Sequence, residues 1–185
     1  MPPDAARRSE RSRLAVLEAA LELVVAVGYG RLTVEAVASR AGVGKQTIYR
    51  WWESKGALLF DAFVELGPVA VVGGVRRGEV VDDLTDELLA AVAEVCERRF
   101  DQVCRALVHE GRTDLVMLLL APRRVAVEER LAVARRLGEV RRDLDLGMAV
   151  ELLLGPLYQR WLLRTAPLTP DFVETLVDVA LGAFR

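Results

Sequence analysis

The sixteen residues Val34-Glu35-Ala36-Val37-Ala38-Ser39-Arg40-Ala41-Gly42-Val43-Gly44-Lys45-Gln46-Thr47-Ile48-Tyr49 decide the fold of this chain. Two short helices that cross closely need a small residue at their contact, and Ala38 supplies it. The turn between them needs a residue that tolerates a left-handed backbone, and Gly42 meets that need. Val37, Val43 and Ile48 then plug the small core between these helices and a preceding one. Four residues separate Ala38 from Val43, and Ile48 follows five later. This combination at this spacing predicts a helix-turn-helix.

The flanking sequence supplies the rest of a small helical unit. Upstream, Leu14, Leu17, Leu21 and Val24 recur at spacings of three and four, one stripe of an amphipathic helix from about Ser9. Gly28 and Gly30, flanking Tyr29, stop it. Thr33 is placed to cap the second helix, with Glu35 in its first turn where an acid suits the helix dipole. That helix ends at Gly42, a third begins near Gly44, and a fourth begins after Ser54 and runs through Leu58, Leu59 and Phe63. Residues 1–8 read as a mobile arm carrying Arg7 and Arg8. Gly67-Pro68 and Gly73-Gly74 mark a loose or kinked exit, where the functional halves divide.

Charge supports an anionic partner for the front of the chain. The net charge of −2 conceals an asymmetry: residues 1–60 hold nine Arg or Lys against six Asp or Glu, whereas residues 61–185 hold 16 against 21. The only two lysines are Lys45 and Lys55, each in the first turn of an expected helix. A cation there opposes the helix dipole, and becomes sensible if a phosphate or a guanine edge occupies the site.

The longer run Gly42-Val43-Gly44-Lys45-Gln46-Thr47-Ile48-Tyr49-Arg50-Trp51-Trp52-Glu53-Ser54-Lys55-Gly56-Ala57-Leu58 resembles the TetR (tetracycline repressor) family signature G-V-S-K-x-T-L-Y-x-H-F-x-S-K-x-x-L. The resemblance implies an all-α homodimer in which a three-helix helix-turn-helix DNA-binding domain (residues 9–60) precedes a helical ligand-binding and dimerisation domain (residues 61–185). It implies a repressor of transcription, released from a palindromic double-stranded DNA operator by a small-molecule effector. Position by position, it puts Lys45, Gln46 and Thr47 against bases or nearby phosphates. It puts Tyr49 and Lys55 against phosphates, and Thr33 likewise from the start of the second helix. Arg50 and Trp51 complete the DNA-binding candidates. Two positions depart from the pattern. Gly44 replaces a small hydroxyl residue, removing a cap and a possible phosphate contact. Trp51 replaces a histidine or tyrosine; its indole N–H can donate to a phosphate but carries no charge. Trp52, at the usual phenylalanine, reads as core.

The second half is helical throughout. Amphipathic helices are expected over residues 80–98 and 100–110, then a long stretch from Asp114 to Val140 interrupted or bent at Pro122. Another runs from Asp145 to about Leu163, and Thr169-Pro170-Asp171 starts the last. Gly155-Pro156-Leu157-Tyr158-Gln159-Arg160-Trp161 and Leu168-Thr169-Pro170-Asp171-Phe172-Val173 are similar to the ending of many family members. Leu152, Leu153, Leu154, Leu157, Tyr158, Trp161 and Leu162 wrap most of the way round one helix, and Phe172, Val173, Leu176, Val177, Ala180, Leu181 and Phe184 cover a broad face of the next. Arcs so wide need two partners, their own core and something else, unless a monomer buries both helices internally; meeting their symmetry mates, the two helices would make a four-helix dimer interface. Leu153, Leu157, Phe172, Leu176, Val177, Ala180 and Phe184 are therefore the expected dimer interface. Cys104, His109, Met117, Tyr158 and Trp161 are the candidate ligand-binding residues, and the scarcity of charge among them leans towards an apolar or aromatic effector.

Other functional classes find less support. The N-terminus lacks a signal-peptide apolar run, and no stretch is long and apolar enough for a membrane span, so a soluble, cytoplasmic protein without membrane contact is expected. One histidine, no paired-histidine metal motif, no phosphate loop and no nucleophile elbow leave no recognisable catalytic residue, metal site or cofactor. Cys96 and Cys104 are too few for a zinc site or a disulfide framework. A regulator that senses redox state through these thiols without a small-molecule effector, or a helical protein-interaction module, stands as the alternative.

Overall fold

In a computed structural model of the chain, residues 3–67 and 79–185 are described, and Met1, Pro2, Pro68 and the Gly73-Gly74 exit lie outside them. The described residues form helices α1 (Pro3–Val27), α2 (Val34–Ala41), α3 (Lys45–Trp51), α4 (Lys55–Leu66), α5 (Val80–Cys96), α6 (Arg98–His109), α7 (Thr113–Leu137), α8 (Leu146–Leu163) and α9 (Pro170–Phe184). A single 3-10 turn, Tyr29–Arg31, follows α1, and no strand occurs among the described residues. The expected all-α class is what the structure shows. One boundary differs: residues 3–8, expected as an arm, continue α1 instead, as their Ala and Arg content favours. At Pro122 α7 continues as one helix, so of the expected interruption or bend the interruption does not occur.

Local chemistry sets the helix ends. Thr33, Ser54, Asp145 and Thr169 each accept a backbone N–H from three residues on, capping α2, α4, α8 and α9. Gly42 takes the left-handed conformation (φ 66°) that ends α2 and lets Val43 N–H reach the carbonyl of Ala38 at 3.0 Å.

The helices gather into two compact units. The first comprises Met1–Val69 and Glu97–Val116, and the second Ala70–Cys96 and Met117–Arg185. Helix α6 packs on α1 and α4, closing the first unit with Phe100, Val103, Cys104, Ala106 and Leu107 buried. Phe63 and Phe100 meet edge to face at 5.5 Å across that contact. Val16, Leu17, Ala20, Val24, Val37, Ile48, Leu58 and Leu59 complete the core. Arg13 on α1 spans to Glu65 on α4 at 2.5 Å, and Arg40 on α2 to Glu22 on α1 at 2.7 Å.

In the second unit, α9 packs on α5 and α8. Its interior includes two charged clusters joining α5 to α7. Buried Arg130 meets Asp83 at 2.5 Å and Glu139 at 3.3 Å, and buried Arg123 meets Glu87 at 2.5 Å and Glu94 at 3.4 Å. The residues of the expected dimer face differ in exposure within the single chain. Leu153, Leu157, Val177, Ala180 and Phe184 are buried in the protomer's own core, while Phe172 and Leu176 are half-buried at its margin. The large apolar side chains exposed on these two helices are Met148, Leu152 and Leu163 on α8, and Val179 on α9.

Candidate nucleic-acid interface

The helix-turn-helix comprises α2, the turn at Gly42–Gly44 and α3. Its inner face is set by Val37, Ala38 and Ile48, all buried, with Val43 half-buried in the turn. Because Ile48 faces inward, the remaining positions of α3 turn outward: Lys45, Gln46, Tyr49 and Arg50 are exposed, and Thr47 and Trp51 half-buried. Tyr49 is 52% exposed, its phenol open to solvent. The outward surface therefore carries an ammonium, an amide, a phenol and a guanidinium on two turns of helix. Gly44 caps α3 with backbone alone, and no side chain bonds to the first N–H groups, as its lack of a hydroxyl dictates.

Three of these outward groups, on Lys45, Tyr49 and Arg50, have a close neighbour. Lys45 donates to the Glu35 carboxylate of α2, which raises the lysine's pKa and lowers the acid's. Its ammonium also lies 5.5 Å from the centre of the Tyr49 ring, and the Arg50 guanidinium lies 5.6 Å from that of Trp51. Trp51 in turn packs edge to face on Trp52 at 5.5 Å. Trp52 is core, as expected from the sequence, and its indole N–H donates to Asp61 at 2.9 Å. Thr33 is exposed at the start of α2; its oxygen accepts from Ala36 N–H at 3.1 Å, leaving the hydroxyl proton to donate outward.

Lys55 makes contacts within the protein. Its ammonium is half-buried, donates to the carbonyl of Leu32 at 2.9 Å and lies 4.4 Å from the centre of the Tyr29 ring. The anion at the start of α4 is supplied from within the protein by Glu110, just after α6. The Glu110 carboxylate accepts from Ser54 Oγ at 2.6 Å, from Gly56 N–H at 2.9 Å and from the Tyr29 hydroxyl. Burial pushes the Glu110 carboxyl up, but those three bonds and the nearby Lys55 charge outweigh it, and its pKa lies below the ordinary value. Tyr29 moves the other way, raised by burial and by the adjacent carboxylate. The next residues add a second tie, with Arg112 reaching Glu53 at 3.3 Å and Asp114 at 3.2 Å. The reading of the sequence missed Glu110 and the Glu35 partnership. Glu35 could have been suspected from its place near the start of α2, but nothing near Ser54 announces a partner 56 residues later.

The candidate ligand residues fall in both units. Cys104 is sealed in the first unit's core, and His109, exposed on the same unit, meets the Tyr29 ring edge to face at 5.5 Å. Met117, Tyr158 and Trp161 belong to the second unit, where Met117 is exposed and Tyr158 packs on Trp161 at 6.3 Å. That unit has a surface cavity of about 570 Å³ between Glu79–Val81, Gly138–Arg141 and Arg185, which none of the five residues lines. Among the described residues, no helix is long and apolar enough to cross a membrane, and no group of His, Cys, Asp or Glu could hold a metal ion.

Comparison with known proteins agrees with this geometry. Residues 16–62 match the family described as "Bacterial regulatory proteins, tetR family", and residues 74–180 match "Tetracyclin repressor-like, C-terminal domain". The chain is 29% identical over 188 residues to the "Uncharacterized HTH-type transcriptional regulator YdeS" of Bacillus subtilis (strain 168), covering 96% of this chain and 90% of the relative. It is 30% identical over 174 residues to the regulator Rv1556 of Mycobacterium tuberculosis (strain ATCC 25618 / H37Rv), covering 88% and 82%. The crystal structure of the TetR family transcription regulator SCO0332 shares 34% identity with a TM-score of 0.63, covering 94% of this chain and 98% of that one. With its outward-facing α3 donors, its helix-turn-helix and matches along most of its length, the chain belongs to the TetR family of helix-turn-helix transcriptional regulators.

Proposed function

We propose that this regulator is a cytoplasmic homodimeric repressor that binds a palindromic operator and leaves it when a small molecule occupies the C-terminal unit. The observation that carries the DNA-binding geometry is the outward face of α3, where Lys45, Gln46, Tyr49 and Arg50 are exposed while Ile48 anchors the helix from behind. Lys45, Gln46 and Thr47, near the start of α3, are assigned to bases and adjacent phosphates. Tyr49, Arg50, Trp51 and Thr33 are assigned to the phosphate backbone, which fixes register.

One α3 reads too few base pairs for a unique address, and two related by a twofold axis read both halves of a palindrome. The exposed stripe of Met148, Leu152 and Leu163 on α8, with Val179 on α9 and half-buried Phe172 and Leu176, supports a four-helix interface between copies. Met117 and the paired aromatics Tyr158 and Trp161 of α8 are the effector candidates that lie in the second unit.

Selection of bound duplexes from a genomic pool tests the reading. The expected product is a palindromic site whose affinity falls steeply with salt. Recovery of no enriched sequence, or of a site without symmetry, would overturn it.

A further inference from the structure

We propose that Glu110 is a positioning residue for DNA recognition: it fills the N-terminus of α4 with a carboxylate of the protein's own, fixing the turn that leads out of α3, while Lys55 locks that junction instead of gripping a phosphate. The inference rests on the assignment of α3 to DNA.

The geometry is specific. Residues 52–54 are the whole connection between α3 and α4, so whatever fixes Ser54 and Gly56 fixes the end of the recognition helix. Glu110 holds both, through Ser54 Oγ at 2.6 Å and Gly56 N–H at 2.9 Å, and it holds the Tyr29 hydroxyl as well. Tyr29 lies under the Lys55 ammonium, which bonds the Leu32 carbonyl immediately before Thr33, the cap of α2. One carboxylate thus ties the start of α4 to the approach to α2, the two ends between which the helix-turn-helix is strung.

The site accepts no other anion without losing this one. A Cβ on Gly56 would lie 2.3 Å from Glu110 Oε2 and 2.8 Å from Cδ, so the carboxylate occupies the space in front of the helix terminus. A charged acceptor on a helix N-terminus is favourable, and it removes the N–H group that a DNA phosphate would otherwise use there.

The test measures operator and scrambled-duplex affinity of the full chain by fluorescence anisotropy between about 50 and 200 mM salt. Glu110→Ala is expected to weaken operator binding about tenfold while scrambled DNA changes less than about twofold and the salt slope stays constant, since seating is lost and no phosphate contact is. Glu110→Gln, which keeps an acceptor for Gly56 and Tyr29, is expected to recover most of the loss. Lys55→Met is expected to weaken operator binding with an unchanged slope. Equal weakening on both duplexes, wild-type affinity in Glu110→Ala, or a slope reduced by about 0.9 in Lys55→Met would each overturn the proposal. If Glu110→Ala does not fold, Tyr29→Phe removes one donor and keeps the ring. It is expected to lower the operator-to-scrambled ratio, and an unchanged ratio refutes the inference. Failure of the wild-type chain to prefer any duplex would instead refute the assignment of α3.

Discussion

Glu110 Oε1 accepts the backbone N–H of Gly56 at 2.9 Å, an approach open only because residue 56 has no Cβ. Gly56→Ala therefore sets two effects against each other. Alanine favours the helix by about 1 kcal/mol, whereas displacing the carboxylate forfeits charge-assisted bonds of roughly 1.5–3 kcal/mol each. The displacement is expected to win, giving a net loss of about 1–3 kcal/mol in urea denaturation. An unchanged midpoint would show that the carboxylate swings aside freely.

The pH dependence of the same contact has a definite sign. The Glu110 carboxyl titrates lower in the folded chain than in the unfolded one, because its hydrogen bonds and the Lys55 charge outweigh burial. Its contribution to stability is therefore complete above the unfolded carboxylate pKa and is lost as pH falls through the lowered folded value. The stability difference between wild type and Glu110→Gln is expected to be largest near neutrality and to shrink in acid. Urea titrations across that range measure it, and a difference that grows in acid would contradict the sign.

Arg130 and Asp83 are both nearly inaccessible, and their 2.5 Å contact joins α7 to α5. Removing one partner strands a buried charge, so Arg130→Met is expected to cost about 3–5 kcal/mol. Replacing both with apolar residues, Arg130→Met with Asp83→Leu, is expected to restore much of that loss. Chemical denaturation of the two single variants and the double variant gives the coupling directly.

The α8 and α9 surfaces separate assembly from folding. Val179→Glu, at a position 69% exposed, is expected to yield a folded monomer by sedimentation with a helical circular dichroism spectrum. Leu153→Ala, wholly buried, is expected to leave assembly intact and lower stability by about 2–5 kcal/mol. A Val179→Glu protein that stays dimeric would move the interface elsewhere.

The contrast between these two leucine-rich helices shows what was legible in the sequence. Ala38, Gly42 and Ile48 announced the helix-turn-helix because each answers a local demand: a close crossing, a left-handed turn and a plug. Thr33, Ser54 and Thr169 likewise declare their helix starts through bonds spanning three residues. The phase of α8 was not legible, since Leu152, Leu153 and Leu154 are chemically equivalent and only packing decides that Leu152 alone of the three is exposed. The Glu110 contacts and the Arg123 and Arg130 clusters lie beyond local reading for the same reason: apart from Glu139 beside Arg130, their partners are 29 to 81 residues away along the chain.

The assignment of α3 to DNA is tested most directly by the operator affinity of Lys45→Ala against wild type, read on the selected site and on single-base variants of it. Lys45→Ala is expected to weaken binding and to level the preference at one base pair in each half-site, with a discrimination loss of about 1–3 kcal/mol there. Affinity and base preference identical to wild type would contradict the placement of α3 in the major groove.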